Sequence, residues 1–537
     1  MTNFKKILSF LLILIIVSCS KDFLDRENPE MVTLDSFYKT ETDFNLALAG
    51  VYNILVRSDY YNGYLYRYLE IASDDANPGD DTKYNALIGN DINEFTLTPD
   101  NYTSINVFSV SYIGIARANT TIDRGKISGL PEEFITQIEA ECRFLRALYY
   151  FNLVRLFGDV PLILNEVTDP ADAQVPRTDV MEVYEKCIIP DLEFAVQNLP
   201  DSYNIQNIAR ADRWAAKGLL AKVFLTLGEK DRIYYNKSRD LALEIINNAR
   251  FSLEESFADL FTRENEFGKE SLFEINYMSG QYFYVWEGYG VGEYIPQRNG
   301  VGSYHNTFYM PRFRGIGYLG KEGAYSQDGY GMGIPTTSND PRGDIYNVPR
   351  GTGIVEAFQS GDTRQDVTIL DYYSSASNKG LPVDYELSPY NVNKYTDFED
   401  NDNGEADDNY YILRLADIYL MFAEAENEIN RGPTDNAYEY LNRVRRRAFA
   451  KPVYDASEYD YSGLTYNQFL DKVYHERRLE LAFEGQRWFD LLRRPEKALS
   501  VLRAQGKNNV TAGRLFLPIP QYVIDETKGL IIQNTGY

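Results

Sequence analysis

Histidine is nearly absent from this chain, with His305 and His475 the only two among 537 residues. That excludes a histidine-rich zinc or iron centre, which draws several imidazoles to one ion. Cysteine is scarce too: Cys19, Cys142 and Cys187 are the only three, so disulfides cannot be the main scaffold. Cys142 and Cys187 both fall within helical patterns and read as buried, inert thiols, a single bridge between them being the alternative. Basic residues are outnumbered, 54 Lys and Arg against 79 Asp and Glu, for a net charge of −25 and a pI near 4.6. Phosphate backbones and anionic headgroups both require clustered cations, so neither nucleic acid nor a charged lipid surface is an expected partner. Long apolar runs are lacking everywhere except at the start of the chain.

That start is a basic Met1-Thr-Asn-Phe-Lys5-Lys6 followed by the apolar run from Ile7 to Val17. The layout is that of a secretory signal, and the run is too short for a comfortable membrane span. Ile16-Val17-Ser18-Cys19 then sets a small residue directly before a cysteine, the bacterial lipobox pattern. The expectation is a signal peptide over residues 1–18 and a lipid carried on Cys19, with a tether over 19–39 holding the folded body.

Aromatic side chains are plentiful but unevenly chosen: 44 Tyr and 29 Phe against 3 Trp. Tyrosine in this excess suits surfaces that meet polar ligands having apolar faces. Helical periodicity occupies two blocks, roughly 40–250 and 410–494, within an N-terminal helical region 40–262 and a C-terminal one 410–537. In the first, Leu130-Pro131-Glu132-Glu133 opens a helix whose apolar stripe runs from Ile135 to Leu153, and Gly158 with Pro161 ends it. A second helix starts near Thr178-Asp179 with a kink expected at Pro190, a third spans about Asp212 to Leu227, and a fourth runs from Ser238 to Ala249. In the second block one helix covers Tyr410–Asn430 and its partner carries Ala437, Leu441, Val444 and Ala448. Thr465-Tyr-Asn-Gln468 is a capping box for another. The periodicity predicts a mainly α protein of αα-hairpins that resemble tetratricopeptide units. Between the blocks, residues 263–409 hold more than half of the 37 glycines and no helical period. They read as a loop-rich lobe with short strands, and such long loops are usually functional.

Several motifs fail on context. Gly315-Ile-Gly317-Tyr-Leu-Gly320 matches a dinucleotide fingerprint without the strand and helix it needs. His475-Glu476 begins like a zinc-peptidase helix, but Leu479 stands where the second histidine belongs, so His475 reads as helix surface. The acidic stretch Asp397–Asp408 is the one candidate for calcium. In EF-hand register Tyr410 takes the place of the bidentate acid, which favours a solvated loop and no resident cofactor. Trp214 and Trp488 read as packing residues. Trp286 differs, lying in the loops with Tyr282, Tyr284 and Tyr289. Sugar rings present C–H faces edged by hydroxyls, so such a set can stack on a glycan while carboxylates and amides bind its rim. A hydrophobic cluster beneath a long loop weighs equally. Tyr60, Tyr61, Tyr64, Tyr66 and Tyr68, followed by Asp74, Asp75 and Asn77, offer a second platform with acceptors.

Six stretches in order then resemble the SusD/RagB nutrient-binding lipoproteins of Bacteroidota. They are the start at Cys19-Ser-Lys-Asp-Phe-Leu-Asp25, the helix from Glu141 to Leu162, and Pro176-Arg-Thr178 with Glu182-Val-Tyr184. Leu413 to Glu426 with Leu441-Asn-Arg-Val-Arg445, Glu476 to Leu491, and Pro518-Ile-Pro520 complete them. Phe108, Val523 and Thr535 depart from the residues usual in that family. The resemblance implies four tetratricopeptide-like helix pairs cradling the loop-rich lobe. It also implies a non-catalytic protein of the outer-membrane surface that captures oligosaccharide and passes it to a TonB-dependent transporter. A peptide-binding version of the same architecture is the alternative, and a surface glycoside hydrolase ranks below both.

Overall fold

The computed structural model describes residues 36–78, 86–277, 332–333, 353–371, 390–395 and 408–537. The first helices are α1 (Glu41–Tyr52), α2 (Tyr64–Ile71), α3 (Ala86–Asn93), α4 (Tyr102–Lys126) and α5 (Glu132–Phe157). After them come α6 (Val180–Val183), α7 (Ile189–Asn198), α8 (Arg213–Leu227) and α9 (Ile233–Ile246). Two short helices, α10 (Ile354–Ala357) and α11 (Arg364–Thr368), precede α12 (Leu415–Asn430), α13 (Asp435–Ala448) and α14 (Tyr466–Glu480). The chain closes with α15 (Arg487–Leu492), α16 (Pro495–Ala504) and α17 (Gln521–Glu526). Among the described residues no helix is long and apolar enough to cross a membrane.

Helix ends follow their sequence signals. The Asp212 carboxylate accepts from the Trp214 and Ala215 N–H groups to start α8, and the capping box Thr40/Asp43 starts α1. Thr465 and Gln468 form the expected box at α14. Gly158 ends α5 at φ 72°, a conformation that glycine takes without strain. At Pro190 the distortion lies just upstream: Tyr184–Ile188 form a π turn, because proline has no N–H to give an i−4 carbonyl. The fourth helix, α9, begins five residues before the expected Ser238.

The helices stack in chain order. α4 packs on α5, α5 on α7, α7 on α8, α8 on α9, α9 on α12, and α12 on both α13 and α14. This succession of packed neighbours is the tetratricopeptide-like array, and one continuous core runs through it. Cys142 and Cys187 are buried within that core as free thiols, so no bridge joins them.

Among the described residues the strands are few and short. One correction concerns Tyr410–Arg414, read from sequence as helix: it is strand β8, paired antiparallel with β4 (Ser271–Ile275). All ten of their residues are buried, so no alternation separates strand from helix in the sequence. The pair lies against α8 at Gly218, where an added Cβ would sit 2.9 Å from the Leu272 side chain. It also pins together the two ends of the intervening segment, since Ile275 faces Tyr410. Val160–Pro161 (β2) pairs with Arg177–Thr178 (β3). A four-stranded sheet in the order β1 (Asn77–Pro78), β5 (Met332–Gly333), β7 (Tyr390–Val392), β6 (Ile369–Asp371) joins the N-terminal region to the glycine-rich segment.

Candidate functional site

The sheet joins one part of the expected site to the loop-rich lobe. Asn77 pairs with Gly333, so the end of the Asp74-Asp75-Ala76-Asn77 stretch is hydrogen-bonded to a strand from the loop-rich lobe. The aromatic part, Tyr282, Tyr284, Trp286 and Tyr289, lies outside the described residues. So do Cys19, His305, the Gly315–Gly320 motif and most of the acidic Asp397–Asp408 stretch.

Asp74 and Asp75 are not open acceptors. Both are buried at the C-terminal end of α2 and held by arginines of α14 and α15. Arg487 grips Asp74 through two hydrogen bonds of 2.7 and 2.8 Å, while Arg478 reaches Asp75 at 2.5 Å and Asp74 at 3.2 Å. Burial pushes both acids up, but the two guanidiniums more than offset this at Asp74 and hold it well below the usual carboxylate range. At Asp75 burial wins, opposed by Arg478 and reinforced by the charge on Asp74. Among the described residues, one Asp75 oxygen and both polar atoms of the Asn77 amide are enclosed without a hydrogen bond. Beside them burial raises Glu70 to about 8, against a hydrogen bond from the Gly485 N–H of 2.7 Å. Lys507, donating to the Ile71 carbonyl and to Asn93, is pushed down to about 7 by burial.

The tyrosine platform is a second correction. Tyr60, Tyr66 and Tyr68 are no more than 2 % exposed and Tyr61 is 5 % exposed, so all four belong to the core. Their abundance reflects hydroxyls that find internal partners: Asn152 donates to both Tyr60 and Tyr61, and Tyr66 donates to the Phe483 carbonyl. His475 is not plain helix surface either. It is half-buried, and burial lowers its pKa. Trp488 packs as expected, fully buried against Tyr68 and Phe95.

Sequence reasoning missed the largest feature beneath the lobe, a buried ion-pair network. Glu476, Glu480 and Glu484 recur at four-residue steps; the first two share one face of α14, and Glu484 follows in the turn after it. Arg364 bonds Asp362 at 2.6 Å, Glu476 at 2.9 Å and Glu480 at 3.2 Å. Arg414 bonds Glu480 and Glu484, each at 2.7 Å. Arg445 bonds Glu476 at 2.7 Å, Lys394 bonds Glu484 at 2.8 Å, and Arg447 bridges Glu270 and Glu480. Arg364, Lys394, Arg414, Arg445 and Arg447 thus meet Glu270, Asp362, Glu476, Glu480 and Glu484, and the set is charge-balanced. Arg364 and Lys394 belong to the lobe and the other three cations to the helical body, so the network fastens one to the other. The signal was present in the Glu476–Leu491 motif as a four-residue acid repeat.

The chain matches two family models: "SusD family" over residues 259–537 and "Starch-binding associating with outer membrane" over residues 22–225. A SusD-like protein P25 from Formosa agariphila is 29% identical over 502 residues, 90% of this chain and 88% of that one. Among solved structures, a laminarin binding SusD-like protein is 28% identical, with a TM-score of 0.72 over 93% of this chain and all of that one. The surface glycan-binding protein A from Bacteroides thetaiotaomicron, solved in complex with laminarihexaose, aligns with a TM-score of 0.74 over 92% of this chain and 99% of its own. At 23% identity that match speaks for the fold alone.

Proposed function

This chain belongs to the SusD family, and on that premise we propose that it is a non-catalytic glycan-binding protein of the bacterial cell surface. The observation that carries the reading is the likeness, at 28% identity over 93% of the chain, to a SusD-like protein that binds laminarin. The helical array serves as a rigid support, and the ligand is taken by the loop-rich lobe fastened to it. Tyr282, Tyr284, Trp286 and Tyr289 supply stacking faces for sugar rings, as aromatic side chains do on ligands with C–H faces. Asp74 and Asp75 act from below: committed to Arg478 and Arg487, they stiffen the base of the lobe and are not a catalytic acid pair. Asn77 can add a hydrogen bond only if its enclosure opens.

Lipid on Cys19 would tether the body to the outer membrane, a location supported by the second family description. Radiolabelled palmitate should enter the wild-type chain and not Cys19→Ala; equal labelling would remove the anchor. A TonB-dependent transporter is the partner that the family resemblance implies, and it should co-purify with the chain from detergent-solubilised membranes.

The central experiment is titration of the purified chain with an oligosaccharide panel that includes laminarin fragments. Saturable binding without release of shorter products is expected. Trp286→Ala should then weaken it by about 1–3 kcal/mol, the cost of losing an aromatic anchor. A chain that binds none of the panel would overturn the reading, and one that shortens its ligand would overturn the non-catalytic part.

A further inference from the structure

On the outer side of the Asp74/Asp75 cluster lies a pocket of about 190 Å³, formed where α14, α15 and α16 meet. It is well above the 10–15 Å³ that one water requires, yet below the roughly 300 Å³ at which organic-ligand pockets begin. An oligosaccharide is too large for it; an ion or a single substituent is not. Its wall is cationic on a strongly acidic protein: Arg478, Arg487, Arg494 and Lys497 line it together with His475.

The ion pairs around the pocket show which charge is left over. Arg478 and Arg487 are matched by Asp74 and Asp75, and Lys497 bonds Asp471 at 2.7 Å. Asp490 also lines the pocket, but its oxygens are taken by Arg477 and Arg493. Arg494 has no carboxylate partner among the described residues. Its guanidinium lies 4.1 Å from the centre of the Tyr474 ring, which fixes its plane and leaves its N–H groups to the pocket. The His475 imidazole likewise carries no hydrogen bond among the described residues, and it shares the wall with Arg494. α16 also starts beside Arg494 without a side-chain cap, so its positive end adds to the same potential.

We propose that this pocket holds one tetrahedral oxoanion, a phosphate or sulfate group, with the Arg494 guanidinium as principal donor and His475 and Lys497 beside it. Donors converge on it from α14, from the junction before α16 and from the first turn of α16. That suits an ion with four oxygens better than a planar carboxylate, which one guanidinium fork already satisfies. The ion would give a partner to Arg494, the one pocket cation without a carboxylate among the described residues. The site is separate from the lobe that takes glycan, so either assignment can fail without the other.

Because the chain has only two histidines, 13C-histidine labelling of the full protein yields two ring signals, assigned with His305→Gln. His475 is flanked by Glu476, Lys472, Arg364 and Arg478, and a bound dianion adds to these charges and raises its pKa. Inorganic phosphate and inorganic sulfate, each titrated against sodium chloride at matched ionic strength, should move the His475 signal saturably and leave His305 unmoved. Arg494→Ala should weaken that binding at least tenfold, Arg494→Lys should retain part of it, and glycan affinity should stay unchanged in both. Glucose 6-phosphate in the same titration separates the sources: a stronger response than to phosphate assigns the pocket to a phosphoryl group on a sugar, an equal or weaker one to the free ion. No response beyond that to chloride, or one that survives in Arg494→Ala, overturns the proposal.

Discussion

Glu480 lies within reach of three guanidiniums, those of Arg364, Arg414 and Arg447, with no exposure to water. Burial alone would raise its pKa, yet the three cations hold it at about 2. Replacing one member of such a set leaves the others charged and unmatched in a low-dielectric interior, which costs far more than an exposed pair is worth. Glu480→Gln should therefore lower stability by about 3–5 kcal/mol in chemical denaturation. Lys126→Gln, which breaks the exposed pair with Asp123, should cost less than about 1 kcal/mol. Equal effects would show that the network contributes nothing special. Glycine at 485 is a second fixed point. Its φ is +67°, and an added Cβ would sit 2.5 Å from the Tyr410 hydroxyl, so Gly485→Ala combines backbone strain with a clash.

At the scale of elements, the helices were legible because their ends carry side-chain signals and their buried faces repeat. α14 shows both, with Thr465 and Gln468 at its start and Phe469, Val473 and Glu480 inward. Thr465→Ala should cost about 1 kcal/mol by freeing one backbone donor, and a denaturation midpoint unchanged from wild type would show that the box is idle. β8 was not legible, since Tyr410-Tyr-Ile-Leu-Arg is buried on both faces and a short apolar run fits either period. The Tyr60–Tyr68 set misled for a related reason. Tyrosine signals a ligand surface only where its hydroxyl lacks an internal partner, and Asn152 and the Phe483 carbonyl come from distant parts of the chain. Asp74 and Asp75 read from sequence as acceptors for a ligand, but their partners are Arg478 and Arg487, some four hundred residues away.

For the whole molecule, the buried groups make stability depend on pH in two opposite senses. Glu70, raised from 4.5 to about 8, keeps its proton in the folded chain where the unfolded chain has lost it. Its contribution is complete below 4.5 and is lost as pH climbs to about 8. Glu480 acts the other way, its contribution present above 4.5 and lost as pH falls toward 2. Lys507, lowered to about 7, favours the folded chain increasingly as pH rises from there toward 10.5. Glu70→Gln, which keeps an acceptor for the Gly485 N–H, should remove up to about 1.4 kcal/mol per pH unit of decline between pH 5 and 7.5. Parallel wild-type and variant profiles across that range would assign the decline elsewhere.

The order in which the network's members leave the ribosome has a consequence for biogenesis. Arg364, Lys394, Arg414, Arg445 and Arg447 all precede the acids Glu476, Glu480 and Glu484 in the chain. Until the final helices are synthesised, those cations have only Glu270 and Asp362 to enter an interior with. A nascent or truncated chain would therefore keep much of its second half unfolded. Burial of those five cations therefore waits on the segment that carries Glu476, Glu480 and Glu484.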